Sequence, residues 1–212
     1  MENIKLIIFD LDGTLIDAYP AIIRSFNYTM QKLKISKKSD LVIRRAVGWG
    51  DENLLKPFIN PGDLKKALAV YRRHHKKSLL EGSRLLPGAR EILGVLKKKG
   101  YKLAIASNRP TRFSWIVMRH LKLDKYFSYI LCKDRLKYGK PHPEILNRIR
   151  KNFSLKPNQA IYVGDMVIDA QAGRRAGIKA VIVTTGSSTI SEIKKARPYR
   201  VISRIIELID IL

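Results

Sequence analysis

The sequence predicts an α/β protein built on a parallel sheet, with a helical segment inserted early in the chain. Three observations predict it. Short apolar runs at 4–9, 102–106, 129–131, 160–163 and 180–183 alternate with amphipathic helical patterns. These runs are almost continuously apolar, as in strands covered on both faces. Phe9 and Lys102 are separated by far more chain than a strand–helix–strand crossover needs, so the long stretch between them is an insertion.

The elements follow in order. Beyond Pro20, Ile22, Ile23, Phe26, Met30 and Leu33 form a helical stripe, and further helical patterns run over 41–47, 52–58 and 64–80. Pro87 can open a helix through Ile92, Leu93 and Leu96 that Gly100 closes. Another begins near Pro143, with Ile145, Leu146 and Ile149 on one face, and a third ends at Gly177. The stretch 202–212 is apolar at helical spacing and is expected to pack back on the sheet. The predicted division is a core of 1–16 and 82–212 and a helical insert of 17–81.

Composition narrows the class. A 212-residue chain that is 45% hydrophobic can bury a full core. No apolar run approaches the roughly 20 residues needed to cross a bilayer. The first run is too short for the core of a secretion signal, and the single cysteine, Cys132, cannot form an internal disulfide. A reducing cytoplasm and a buried, inert Cys132 are expected. Forty-two Lys and Arg against eighteen Asp and Glu leave a net charge of +24. That favours anionic partners: phosphorylated metabolites, nucleic acid or polyphosphate. The basic residues are dispersed, as at Arg44-Arg45, 72–77, 97–99 and Lys194-Lys195, without aromatic interleaving. A solvated basic surface therefore takes precedence over a nucleic-acid interface.

Four segments carry chemistry. Asp10-Leu11-Asp12-Gly13-Thr14 follows the first run directly, so two carboxylates sit at a strand's carboxyl end, where open α/β sheets bind ligands. Alone, such a pair is often only a turn or a helix cap. The second run leads into Ser107-Asn108-Arg109-Pro110, a hydroxyl before a helix that suits a phosphate, or serves as an ordinary N-cap. Lys140 lies between Gly139 and Pro141, in restricted backbone that can aim its ammonium at the site, although a solvated Lys is the plain alternative. Val163-Gly164-Asp165 ends the fourth run, with Asp169 one helical turn on, either as a cap or beside a metal. Carboxylates converging near Asp10 suit Mg²⁺, a hard cation that prefers oxygen.

In order and each at a strand end, these segments resemble the four motifs of the haloacid dehalogenase superfamily, over essentially the whole chain. The insert lies where that superfamily carries a helical C1-type cap. The resemblance implies a Rossmann-like sheet, strand order 5-4-1-2-3, beneath a mobile cap. More narrowly, Asp10–Leu15 with Asp17, Val47–Gly50, 107–110, 140–143 and 163–169 look like bacterial-type phosphoglycolate phosphatases. Ala18 stands where that group usually has Ser, and Arg109 where many members have Lys.

The resemblance implies Asp10 as the nucleophile, forming an aspartyl-phosphate, and Asp12 as the acid/base. It implies Mg²⁺ held by Asp10, Asp165 and the main-chain carbonyl of Asp12, with Asp169 ordering the surroundings. Ser107, Asn108 and Lys140 would bind the phosphoryl group. Gly48 and Gly50 could form a loop facing the site, where Arg44 or Arg45 either meets a substrate carboxylate or is simply solvated. His74, His75 and His120 are expected at the surface. The expected substrate is 2-phosphoglycolate, for a monomer or homodimer. A β-phosphoglucomutase-like enzyme, a pyrophosphatase and a broad sugar-phosphate phosphatase share the chemistry. A nucleic-acid or polyphosphate binder on the same scaffold is the alternative of another class.

Overall fold

In the computed structural model, which describes residues 4–212, β1 (Leu6–Phe9) is followed by a two-residue β2 (Ile16–Asp17). Residues 1–3 of the predicted core lie outside this range. Then come α1 (Tyr19–Lys32), α2 (Asp40–Ala46), α3 (Asp51–Leu55), α4 (Leu64–Gly82) and β3 (Arg84–Leu85). The remainder alternates: α5 (Ala89–Lys98), β4 (Lys102–Ser107), α6 (Thr111–His120), β5 (Tyr129–Cys132), α7 (Glu144–Asn152), β6 (Ala160–Gly164), α8 (Val167–Ala176), β7 (Lys179–Val183), α9 (Ile190–Lys195) and β8 (Arg200–Ile202).

The main sheet has the order β5-β4-β1-β6-β7-β8, every pair parallel. It is the expected α/β sheet with one added edge strand. Both faces of its centre are buried, which explains the continuous apolar runs. Ile7 and Phe9 of β1 pack with Leu103 and Ile105 of β4 towards α5 and α6, while Leu6 and Ile8 pack with Ala104 and Tyr162 towards α7 and α8. Because the strands are parallel, the ends of β1, β4 and β6 lie along one edge, and Asp10, Ser107 and Asp165 stand there.

Two elements depart from the expected reading. The stretch 202–212 is not an α-helix: Arg200–Ile202 pairs with β7, and Ile205–Ile211 forms a 3₁₀ helix. A β-branched Val201-Ile202 pair suits an edge strand, and the short segment left beyond it still buries Ile205 and Leu208. The helix after Pro87 starts at Ala89, because Gly88 takes a left-handed turn first.

The insert leaves the sheet through β2 and returns through β3, which pair antiparallel, Ile16 with Leu85 and Asp17 with Arg84. Helices α1 and α4 pack along each other, and their shared core includes Phe26, Met30, Ala67 and Leu79. Phe26 is fully buried and meets the Phe58 ring edge-on at 5.2 Å. Phe26→Ala should therefore lower unfolding free energy by about 3–5 kcal/mol with an unchanged denaturant slope. Urea titration checks this, and a loss below about 1 kcal/mol would contradict a rigid core in the insert.

Candidate active site

Asp10 is fixed by its own backbone: its N–H donates to the carbonyl of Val163 at 2.8 Å, tying it to β6. The chain then turns at Gly13, whose φ of 77° is left-handed. A side chain there would collide with the carboxylate of Asp165, and so would one at Gly186. Glycine at both positions lets two loops close around that carboxylate. The Thr14 hydroxyl donates to Asp165 Oδ1 at 2.8 Å, and the Thr185 hydroxyl to the Gly13 carbonyl at 2.5 Å.

Lys140 is buried beneath this edge. Its Nζ lies 2.8 Å from Asp10 Oδ2, 2.8 Å from Asp169 Oδ1 and 2.9 Å from the Tyr162 hydroxyl, so all three ammonium donors are engaged. Asp169 is saturated in turn. Its Oδ1 also accepts from Tyr162 Oη at 2.6 Å, and its Oδ2 accepts from the N–H groups of Asp165 and Met166 where α8 begins. Asp169 thus caps α8, and its carboxylate also stands beside those of Asp10 and Asp165.

Carboxylate oxygens of Asp10, Asp165 and Asp169 lie within 4.8 Å of one another. Asp165 Oδ2 is buried and has no hydrogen-bond partner among the described residues. Three buried carboxylates face one Lys, leaving a local excess of negative charge that a divalent cation with oxygen ligands would neutralise. The donor set thus fits a hard metal ion. The Asp12 carboxylate is not part of this cluster. Arg109 grips it as a fork, Nε to Oδ2 at 2.8 Å and Nη2 to Oδ1 at 2.5 Å.

Burial, partly offset by Lys140 and reinforced by Asp169, raises the Asp10 carboxyl from 3.8 to about 7. Burial, then Asp169 and Asp10, raise Asp165 well above the ordinary carboxyl range. Burial works against the charge of Lys140, but Asp10 and Asp169 overcome it and hold the ammonium above its ordinary value.

A cleft opens over the edge, lined by Asp10, Asp12, Ser107 and Arg109 from the sheet side and by Gly48 and His75 from the insert. Asn108 joins the two sides. Its Nδ2 donates to the carbonyls of Gly48 at 2.8 Å and Lys140 at 3.0 Å, and its Oδ1 accepts from the Lys140 N–H at 2.8 Å. Ser107 is not the cap of α6: its hydroxyl accepts from the Arg109 N–H at 3.2 Å, inside the turn.

The structure does not bring Arg45 to the cleft. Its guanidinium grips both oxygens of Glu192 and donates to the Ser187 carbonyl at 2.7 Å, at the surface. Arg44 lies over the Tyr19 ring at 4.0 Å. His120 is exposed and His74 half-buried, but His75 is 3% exposed. His75 packs between the rings of Tyr71 and Phe113, with Nδ1 3.1 Å from Ser25 Oγ, because α4 turns this face onto α1 and α6. Burial, then the charge of Arg109, push its pKa well below 6.5 and keep it neutral.

Tyr162, Thr14 and the Arg109 fork were not anticipated. Thr14 stands inside the Asp-rich segment, so its neighbours were a signal. Tyr162 reads as one more apolar strand residue. The family model of haloacid dehalogenase-like hydrolases matches residues 7–183. The chain belongs to this family. A phosphoglycolate phosphatase of Haemophilus influenzae is 31% identical, covering 98% of each chain, and one of Mannheimia succiniciproducens is 32% identical, covering 100% of this chain and 99% of its own. Among solved structures, a predicted phosphoglycolate phosphatase from Haemophilus somnus superposes with a TM-score of 0.93 at 28% identity, covering 100% and 99% of the two chains. A haloacid dehalogenase-like family protein from Streptococcus pneumoniae gives 0.90 at 25% identity, covering 99% and 98%. This haloacid dehalogenase-like hydrolase has no helix, among the described residues, long and apolar enough to cross a membrane.

The raised carboxyls predict a pH dependence. A carboxyl whose pKa is higher folded than unfolded favours the fold while it is protonated, so its contribution falls as pH rises from 3.8 towards about 7. A bound divalent cation removes that loss. Mg²⁺ should therefore raise the melting temperature more near pH 8 than near pH 5, and Asp10→Asn should flatten the difference. Thermal scans with Mg²⁺ and with chelator check this; equal shifts at both pH values would contradict it.

Proposed function

We propose that this hydrolase is a Mg²⁺-dependent phosphomonoesterase, with 2-phosphoglycolate as its substrate. The observation that carries the reading is the pairing at the end of β1. Asp10 faces the buried ammonium of Lys140 within the acidic cluster, while Asp12, two residues on, gives its carboxylate to Arg109, outside that cluster but on the lining of the same cleft. A nucleophile and a separate acid/base serving one phosphorus atom need that division.

Asp10 attacks phosphorus and forms an aspartyl-phosphate. Asp12 protonates the leaving oxygen and then takes a proton from the hydrolytic water. Ser107 and Lys140 bind the phosphoryl oxygens, Lys140 by turning one donor away from Asp10. Asp10 and Asp165, with the main-chain carbonyl of Asp12, would hold Mg²⁺. The ion supplies positive charge that lets a dianionic ester approach several carboxylates. Asp169 holds Lys140 and the start of α8 in place. Residues 17–81 act as the cap over the core of 1–16 and 82–212, with Gly48 presented to the substrate and Asn108 fastening that loop. The relatives named as phosphoglycolate phosphatases, aligned over nearly the whole chain, support the substrate. One buried Cys132, with its thiol raised to about 11 by burial, suits a reducing cytoplasm.

The test is Mg²⁺-dependent phosphate release from 2-phosphoglycolate, beside sugar phosphates, pyrophosphate and an aryl phosphate. Preference for 2-phosphoglycolate is expected, with Asp10→Asn lowering kcat by at least about 10³-fold. Turnover of other esters alone would remove the substrate assignment. Equal turnover by Asp10→Asn would remove the mechanism.

A further inference from the structure

Arg109 combines several features. It is 7% exposed, yet among the described residues it is the one Lys or Arg on the lining of the cleft. Other basic side chains around the insert and the cleft are engaged elsewhere, and Arg112, in the adjoining hollow, lies over the Phe113 ring at 4.4 Å. Arg45 is on Glu192, Arg72 forms a fork with Asp51, Lys133 donates to the Trp49 carbonyl, and Lys140 is saturated below the lining. His75, across the cleft, is neutral. Away from the acidic edge the wall is largely apolar, with Ile22, Leu54 and Phe113.

The guanidinium is only half used. Asp12 takes the edge formed by Nε and Nη2, whereas Nη1 is buried and has no hydrogen-bond partner among the described residues. A guanidinium presents five N–H donors and can hold carboxylates on two edges. The donors of Nη1 are costly to leave unmet in a dry wall and match a second planar anion.

Resting on the phosphatase reading above, we propose that Arg109 reads the substrate's second anionic group. Its free edge, Nη1 with Nη2, holds a carboxylate on the leaving-group side of the phosphoester. Its other edge keeps Asp12 oriented beside the oxygen that departs. Selectivity for a carboxylate-bearing phosphoester thus resides in a core loop, not in the arginines of the insert. The contact requires planar, two-pronged geometry, so Lys replaces it poorly.

The experiment compares kcat/KM for 2-phosphoglycolate and for 2-hydroxyethyl phosphate, which carries a hydroxymethyl group in place of the carboxylate. It uses the Mg²⁺-loaded wild type, Arg109→Gln and Arg109→Lys. The ratio of the two values should fall by roughly 10- to 150-fold in Arg109→Gln, the range for one lost charge-assisted contact, chiefly through KM for the carboxylate ester. Arg109→Lys should recover part of the ratio, and it gives the reading alone if the Gln variant does not fold. An equal fall for both esters, leaving the ratio unchanged in an active enzyme, would overturn this role while leaving the phosphatase reading intact. A wild type without preference for the carboxylate ester would also overturn it. A wild type that hydrolyses neither ester would remove the phosphatase reading, and this role with it.

Discussion

The buried ammonium of Lys140 is the contact on which the rest of the site depends. Asp10, Asp165 and Asp169 are crowded into a largely buried volume where ionised carboxylates repel. Removing charges from water costs several kcal/mol each, and only a partner of opposite sign with full hydrogen bonding offsets it. Lys140 meets that need with three donors and three acceptors, two of them carboxylates. What remains is an excess of negative charge with one bare oxygen, on Asp165, which is the chemical basis for a metal ion.

The fold delivers these groups by simple means. Parallel strands put the ends of β1, β4 and β6 on one edge, and α8 presents its first N–H groups to Asp169. The insert then lies over this edge, joined by Asn108 to Gly48, by Lys133 to Trp49 and by Arg45 to Glu192. Two of these polar links are near the surface, and beside them α4 packs on α6, His75 lies against the Phe113 ring, and one apolar cluster spans both parts.

Much of this was legible because the governing constraints are local. Strands buried on both faces must read as apolar runs, and a Gly after paired aspartates marks a turn. So the sheet, the helices of the insert and the placing of Asp10 and Asp165 at strand ends followed from spacing, whereas spacing left Ser107 and Lys140 open and only the family resemblance drew them to the site. What was not legible depends on packing at a distance. Ile202 looks alike in a helix and in an edge strand when the run is short. His75 reads as part of a basic helix, and only the contact of α4 with α6 buries it. The turn of Arg45 away from the cleft depends on Glu192, far along the chain. Tyr162 looks like core until its hydroxyl is found between Lys140 and Asp169. The fork of Arg109 on Asp12 likewise joins residues that no local pattern relates.

The most direct measurement is equilibrium unfolding of Lys140→Met, near neutral pH and without metal. Methionine fills the space but leaves Asp10 and Asp169 without their cation. The expected loss is about 3–5 kcal/mol, partly recovered with Mg²⁺ and smaller near pH 5, where raised carboxyls take up protons. A loss under about 1 kcal/mol, independent of pH and Mg²⁺, would contradict the view that this ammonium holds the acidic site together.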